Sequence, residues 1–165
     1  FGGKLEEAGV FSSLVADVLA TLKTRGVIGK PRPGSIVLAG HSGAYRVISF
    51  ILLRGGLTEN VREVYLFDAL YGELEKFAWW VEHGRGRLVV IHTPEGGTRT
   101  RTLDFLGDLR AWGVSFAEVA ESAVTADLLR KNRIVFIESS LAHDDVVAAQ
   151  EQLRTYLETG ALGRR

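Results

Sequence analysis

Ser42, Asp68, Glu95 and His143 are a hydroxyl, two carboxylates and an imidazole, in that order along the chain. Each follows shortly after a run of apolar residues. A serine hydroxyl is a weak nucleophile at its own pKa and needs an adjacent base. An imidazole can take that proton and return it to a leaving group. A carboxylate behind the imidazole holds the useful tautomer and stabilises the cation that forms. Together these groups are the parts of acyl transfer through a covalent intermediate. The serine has the most telling setting, Gly40-His41-Ser42-Gly43-Ala44. Its small neighbours let a sharp corner close without side-chain clashes.

The elements that must position these groups alternate. Phe11, Leu14, Val15, Val18, Leu19 and Leu22 recur at helical spacing and predict one amphipathic helix over 4–24. The breaker-rich 29–35 is a loop. A strand over 35–39 then runs into the Ser42 corner, and a helix over 43–54 follows, apolar on most of its faces and stopped by Gly55 and Gly56. Strands are expected at 61–67, 88–93 and 133–138. Helices are expected at 70–82, at 100–112, within 115–131, and at 144–158 with Val146, Ala149, Leu153, Tyr156 and Leu157 inward.

Strand and helix in alternation imply parallel strands joined by helical crossovers. The strands are continuous apolar runs, as they are when helices cover both faces of a sheet. The fold class expected is therefore α/β: a mostly parallel sheet with helices on both faces, in one domain over 1–165. In such a sheet ligands gather at the carboxyl ends of the strands. Those ends offer Ser42, Asp68, Glu95 and His143.

The pentapeptide resembles the nucleophile elbow of the α/β-hydrolase family, G-x-S-x-G with alanine in the last place, and it stands in the strand–turn–helix context that motif requires. The order serine, acid, histidine is that family's order, and the resemblance covers roughly 35–158, as the carboxyl-terminal part of the fold. It implies a serine hydrolase acting on a carboxylic ester or related acyl bond. Ser42 would attack, His143 would shuttle the proton, and the Gly43 N–H at a helix N-terminus would bind the oxyanion. The family's commonest arrangement nominates Glu95 as the acid. Some lipases place it one strand earlier, which nominates Asp68, and a carboxylate directly ending an apolar strand is costly unless partnered; Asp68 is favoured, with Glu95 the alternative. A peptidase or amidase would use the same residues, and a non-catalytic binding domain would keep the fold alone.

The family's sheet has strands ahead of the nucleophile strand, whereas only one helix precedes it here, and no HGGG-like stretch supplies a second oxyanion donor; Phe1-Gly2-Gly3 is the nearest. The chain begins with Phe1 and has no methionine, which reads as a mature form or a fragment and leaves the compartment open.

Each residue also has a plain structural role to weigh. Ser42, Asp68 and His143 could each cap a helix. Glu95, Asp104, Arg99 and Arg101 could be solvated charge, and His41, His83 and His92 read as structural or exposed. Of the aromatic residues in 69–83, Tyr71, Trp79 and Trp80 suit a substrate pocket, while Phe77 suits packing against the sheet. His143-Asp144-Asp145 hints at a metal, but three adjacent side chains fan apart, so no metal or organic cofactor is expected. Twenty basic against 20 acidic residues give no sign of nucleic acid as a partner, and no apolar run is long enough for a membrane span. The expected partner is a small acyl substrate. Cysteine is absent, which excludes disulfides and thiol catalysis. A flavodoxin-like nucleotide binder would share the pattern but lacks G-x-G-x-x-G and the P-loop.

Overall fold

The computed structural model describes residues 2–149 and 152–160. Five strands form one wholly parallel sheet: β1 (Ile36–His41), β2 (Val61–Phe67), β3 (Arg87–His92), β4 (Ala117–Ala120) and β5 (Ile134–Glu138). Their spatial order is β1-β2-β3-β5-β4. Seven α-helices are described: α1 (Gly2–Leu5), α2 (Val10–Thr24), α3 (Ala44–Arg54), α4 (Leu74–His83), α5 (Arg99–Ala111), α6 (Ala126–Lys131) and α7 (Gln152–Thr159). The protein is α/β, as the alternation of elements implied. No helix among the described residues is long and apolar enough to cross a membrane.

Successive residues of a strand point to opposite faces. Val64, Leu66, Leu88, Val90, Ile134 and Phe136 therefore share one face with Leu52, Phe77, Trp80, Phe105 and Leu109 of α3, α4 and α5. Tyr65, Phe67, Val89, Ile91, Val135 and Ile137 share the other with Leu129 of α6 and Tyr156 of α7. Crossovers between parallel strands are right-handed. While the chain moves from β1 through β2 and β3 towards β4, its helices lie on one face. The step from β4 back to β5 reverses direction and puts α6 on the other.

Four expectations are corrected. The helix expected over 4–24 is two helices, broken where Gly9 takes φ 76°, and no residue of α2 is buried. Leu14 and Val18, expected on the inward stripe, are 47% and 50% exposed. The helix expected over 70–82 begins only at Leu74, because Glu73 is left-handed at φ 58°. Part of the helix expected within 115–131 is the strand β4, whose pairing with β5 overrides the helix propensity of alanine and glutamate. Residues 143–148 are turns, so the last helix is shorter than 144–158; residues 150 and 151 lie outside the described residues.

Candidate functional site

The carboxyl ends of the strands are held level by backbone hydrogen bonds just beyond the ladders. The Ser42 N–H donates to the Phe67 carbonyl at 3.4 Å, the Asp68 N–H to Ile91 at 2.8 Å, and the Ser139 N–H to His92 at 3.0 Å. The first residues past β1, β2 and β5 thus share one rim.

Ser42 takes φ 54° between β1 and α3, and Asp68 takes φ 42° immediately after β2. A side chain in the left-handed region costs about 1–3 kcal/mol, and residues held there cluster at functional sites. Gly40 makes the Ser42 corner possible, since a Cβ there would lie 2.5 Å from Ile48 Cδ1 and 2.8 Å from the Ala44 Cβ. Gly43 has ordinary φ of −62° and open space around it, so sterics do not demand a glycine there. It stands at the N-cap of α3, and its N–H meets no acceptor among the described residues.

Asp68 is wholly buried. Its Oδ1 accepts from the Thr93 N–H at 3.1 Å and from the Thr98 hydroxyl. Its Oδ2 accepts from the Thr93 hydroxyl at 2.6 Å and from His143 Nδ1 at 2.7 Å. Burial is the largest influence on its pKa and pushes it up. The hydrogen bonds from Thr93, Thr98 and His143 outweigh that push and hold the carboxyl below its usual value. Gly96 passes so close that a Cβ there would overlap the carboxylate.

His143 is therefore oriented through Nδ1, which leaves Nε2 for other work. Its ring centroid is 4.4 Å from that of His41 and 6.4 Å, edge-on, from that of Tyr71. His41 Nε2–H donates to the His143 carbonyl at 2.8 Å. The Tyr71 phenol donates to the Gly96 carbonyl and lies near the Ser42 hydroxyl. Burial first, and then the Asp68 charge, raise the Tyr71 pKa, while the Ser42 contact lowers it. No hydrogen bond joins Ser42 to His143 among the described residues. The two lie on the same rim with Tyr71 beside both.

Of the two carboxylates nominated from the sequence, Asp68 meets the imidazole. Glu95 is exposed and lines an open depression beside His143 with Ser140 and Asp144. His41 is half-buried and tied to the His143 main chain, a structural role as read from the sequence, and its ring lies beside that of His143. Thr93 and Thr98 were not read from the sequence at all. Trp80 and Phe77 are core residues, and Trp79 stacks on the His83 ring at 4.8 Å between centroids, so the aromatic pocket expected from 69–83 reduces at this rim to Tyr71. His92 is buried with Nδ1 unpartnered, and burial lowers its pKa. Arg101 meets Asp104 at 3.2 Å on the surface.

His41, His143 and Asp144 each present a ligand atom within 4.8 Å of the others. Two imidazoles and a carboxylate are a donor set for a transition metal. One nitrogen of each ring is already engaged, His41 Nε2 by a carbonyl and His143 Nδ1 by Asp68.

What the arrangement offers is an oriented proton acceptor on the rim that carries Ser42. A buried ionised carboxylate orients an imidazole, whose other nitrogen can accept a proton at a rim that also bears an exposed helix N-terminus. No protein-family model, curated protein or solved structure matches the chain.

Proposed function

We propose that this protein is a serine hydrolase of the α/β-hydrolase type, cleaving a carboxylic ester or related acyl bond. The observation that carries the reading is the 2.7 Å bond from His143 Nδ1 to buried Asp68, on the rim where Ser42 sits strained at φ 54°. The Ser42 hydroxyl lies near Tyr71. The proposed reaction requires a turn about χ1 that brings it to His143 Nε2, and contacts of this kind often tighten only when substrate is bound.

In the reaction Ser42 Oγ bonds to the acyl carbon while its proton passes to His143 Nε2. The carbonyl oxygen becomes an oxyanion facing the Gly43 N–H. The bond to the leaving group breaks as His143 returns the proton to it. Water, deprotonated by the same nitrogen, then releases the acid and restores Ser42. Asp68 stays ionised and stabilises the imidazolium.

The test is labelling by a fluorophosphonate probe together with turnover of short p-nitrophenyl esters. Labelling lost in Ser42→Ala and turnover lost in His143→Ala are the expected results. Labelling that persists in Ser42→Ala overturns the assignment of Ser42 as the nucleophile, and no labelling with no turnover at all overturns the reading and leaves a binding domain. A panel of esters and peptides separates esterase from peptidase or amidase, which would use the same residues.

A further inference from the structure

Opposite this rim, the amino-terminal edge of the sheet carries a cleft of about 480 Å³. It opens where β2 and β3 begin and where the chain leaves α6 to enter β5. Arg62, Arg85, Arg87, Arg130, Lys131 and Arg133 line it, against a single carboxylate, Glu63. The chain has 20 basic and 20 acidic residues, so this excess is a local concentration of charge rather than a consequence of composition.

Three of the six cations have work within the fold. Arg87 meets Glu63 at 3.3 Å and donates to the carbonyls of Tyr156 at 2.7 Å and Leu129 at 3.1 Å. Lys131 pairs with Asp127 at 2.7 Å. Arg133 donates to the Val81 and Gly84 carbonyls, each at 2.9 Å, at the carboxyl end of α4. Arg62, Arg85 and Arg130 are exposed and have no carboxylate partner among the described residues. Like charges gathered without counter-charge repel one another and raise the local potential for anions. Planar guanidinium forks match phosphate oxygens two at a time.

The cleft is concave and of the size that takes a small ligand. Its cations line one hollow, whereas those that follow a nucleic-acid backbone are strung along a surface.

We propose that this cleft binds a small oligophosphate, a diphosphate or triphosphate group, independently of the Ser42 rim. Calorimetry on the full chain with inorganic triphosphate tests it. One-to-one binding that weakens as salt rises is expected. In Arg85→Ser/Arg130→Ser, affinity should fall at least about ten-fold, since each guanidinium contributes a charge-assisted hydrogen bond. Both side chains are exposed, so the variant should melt with the parent. Ser42→Ala should bind as the parent does, which separates this inference from the hydrolase reading. Tighter binding of a nucleoside triphosphate than of inorganic triphosphate would assign the group to a nucleotide; equal binding would assign a free oligophosphate, and both support the site. Absence of binding, or binding indifferent to the double variant, overturns it. So does engagement of these arginines by single-stranded RNA or by phosphatidylserine vesicles when triphosphate does not bind.

Discussion

His41 Nε2–H donates to the main-chain carbonyl of His143 at 2.8 Å, across 102 residues of sequence, and the two rings lie 4.4 Å apart. The residue before the strained serine thus fixes the backbone that carries the proposed base. A carbonyl acceptor requires the proton on Nε2, which leaves Nδ1 of His41 unprotonated in the neutral ring. In His41→Ala the His143 turn loses this tie, although Asp68 still holds the ring. Small misplacements of a positioned base cost up to about a hundred-fold in rate. Turnover of p-nitrophenyl esters by His41→Ala should fall about ten- to a hundred-fold in kcat, with KM little changed. His41→Gln, which keeps an N–H donor, should recover most of it. Equal loss in both variants would point to the ring itself rather than to the hydrogen bond.

Asp68 gives an effect on both rate and stability. Asp68→Asn keeps the shape and removes the charge that stabilises the imidazolium. A fall of about 10⁴ in kcat is expected, as when the orienting carboxylate of such a triad is neutralised. Asparagine keeps one acceptor oxygen, so either the Thr93 N–H and Thr98 hydroxyl or the Thr93 hydroxyl and His143 Nδ1 lose theirs, at a cost of about 1–3 kcal/mol read by chemical denaturation. The pH dependence has a definite sign. The native carboxyl is held below its ordinary value. The unfolded chain therefore protonates first as pH falls. The stabilisation is fully present above the unfolded carboxyl range, about pH 4, and is lost as pH drops through the lower native pKa. Melting curves of the parent should steepen their decline below about pH 4, and those of Asp68→Asn should decline less there. Parallel curves would show that Asp68 is not held ionised.

The three glycines around the site should behave differently. A Cβ at Gly96 overlaps the Asp68 carboxylate and reaches 2.5 Å from Thr93 Oγ1. A Cβ at Gly40 meets Ile48 and Ala44 at 2.5 and 2.8 Å. Overpacking of this kind costs about 1–3 kcal/mol. At Gly43 nothing lies within 4 Å. Gly96→Ala should lose stability and most activity together, Gly40→Ala should lose stability, and Gly43→Ala should melt within about 0.5 kcal/mol of the parent, since it is an open surface position. Gly43→Ala also retains the N–H proposed to bind the oxyanion, so its turnover of the smallest esters should survive. A marked loss of stability in Gly43→Ala would contradict the open space around it.

The sequence made some of this legible and hid the rest for physical reasons. β2, β3 and β5 are apolar on both faces, so Val61–Phe67, Arg87–His92 and Ile134–Glu138 stand out as runs. Residue types at the strand ends then nominate Ser42, Asp68 and His143. β4 is four residues at the sheet edge, half-buried and exposed in alternation, and only its partner β5 makes Ala117–Ala120 a strand. The choice between Asp68 and Glu95 depended on which carboxylate the 94–98 loop leaves buried, which no local pattern encodes. Thr93 and Thr98 carry no signal as single hydroxyls; their role appears only when β2 and β3 lie side by side. Arg87 with Glu63 was equally silent, because charges at or near the start of a strand read as ordinary surface charges, yet they meet each other and Tyr65, with Glu63 buried and Arg87 nearly so.

Tyr71 holds the remaining decision at the rim. Its phenol proton goes to the Gly96 carbonyl, so its oxygen is free to accept from the nearby Ser42 hydroxyl, and a serine held there would not be held by His143. Tyr71→Phe removes the bond to Gly96 and the polar neighbour of Ser42. Loss of the tie to Gly96 should destabilise the protein by about 1 kcal/mol, the net worth of an intramolecular hydrogen bond. Loss of the contact with Ser42 acts on reactivity in the opposite direction. The serine no longer has to leave a partner before it meets the imidazole, and an equilibrium eased by up to about 1 kcal/mol corresponds to roughly five-fold. Fluorophosphonate labelling of Ser42 should therefore quicken by about two- to five-fold in Tyr71→Phe while the melting point falls. Slower labelling in a variant that remains folded would make the phenol a contributor to the reaction, donating to the developing oxyanion instead of holding the resting serine.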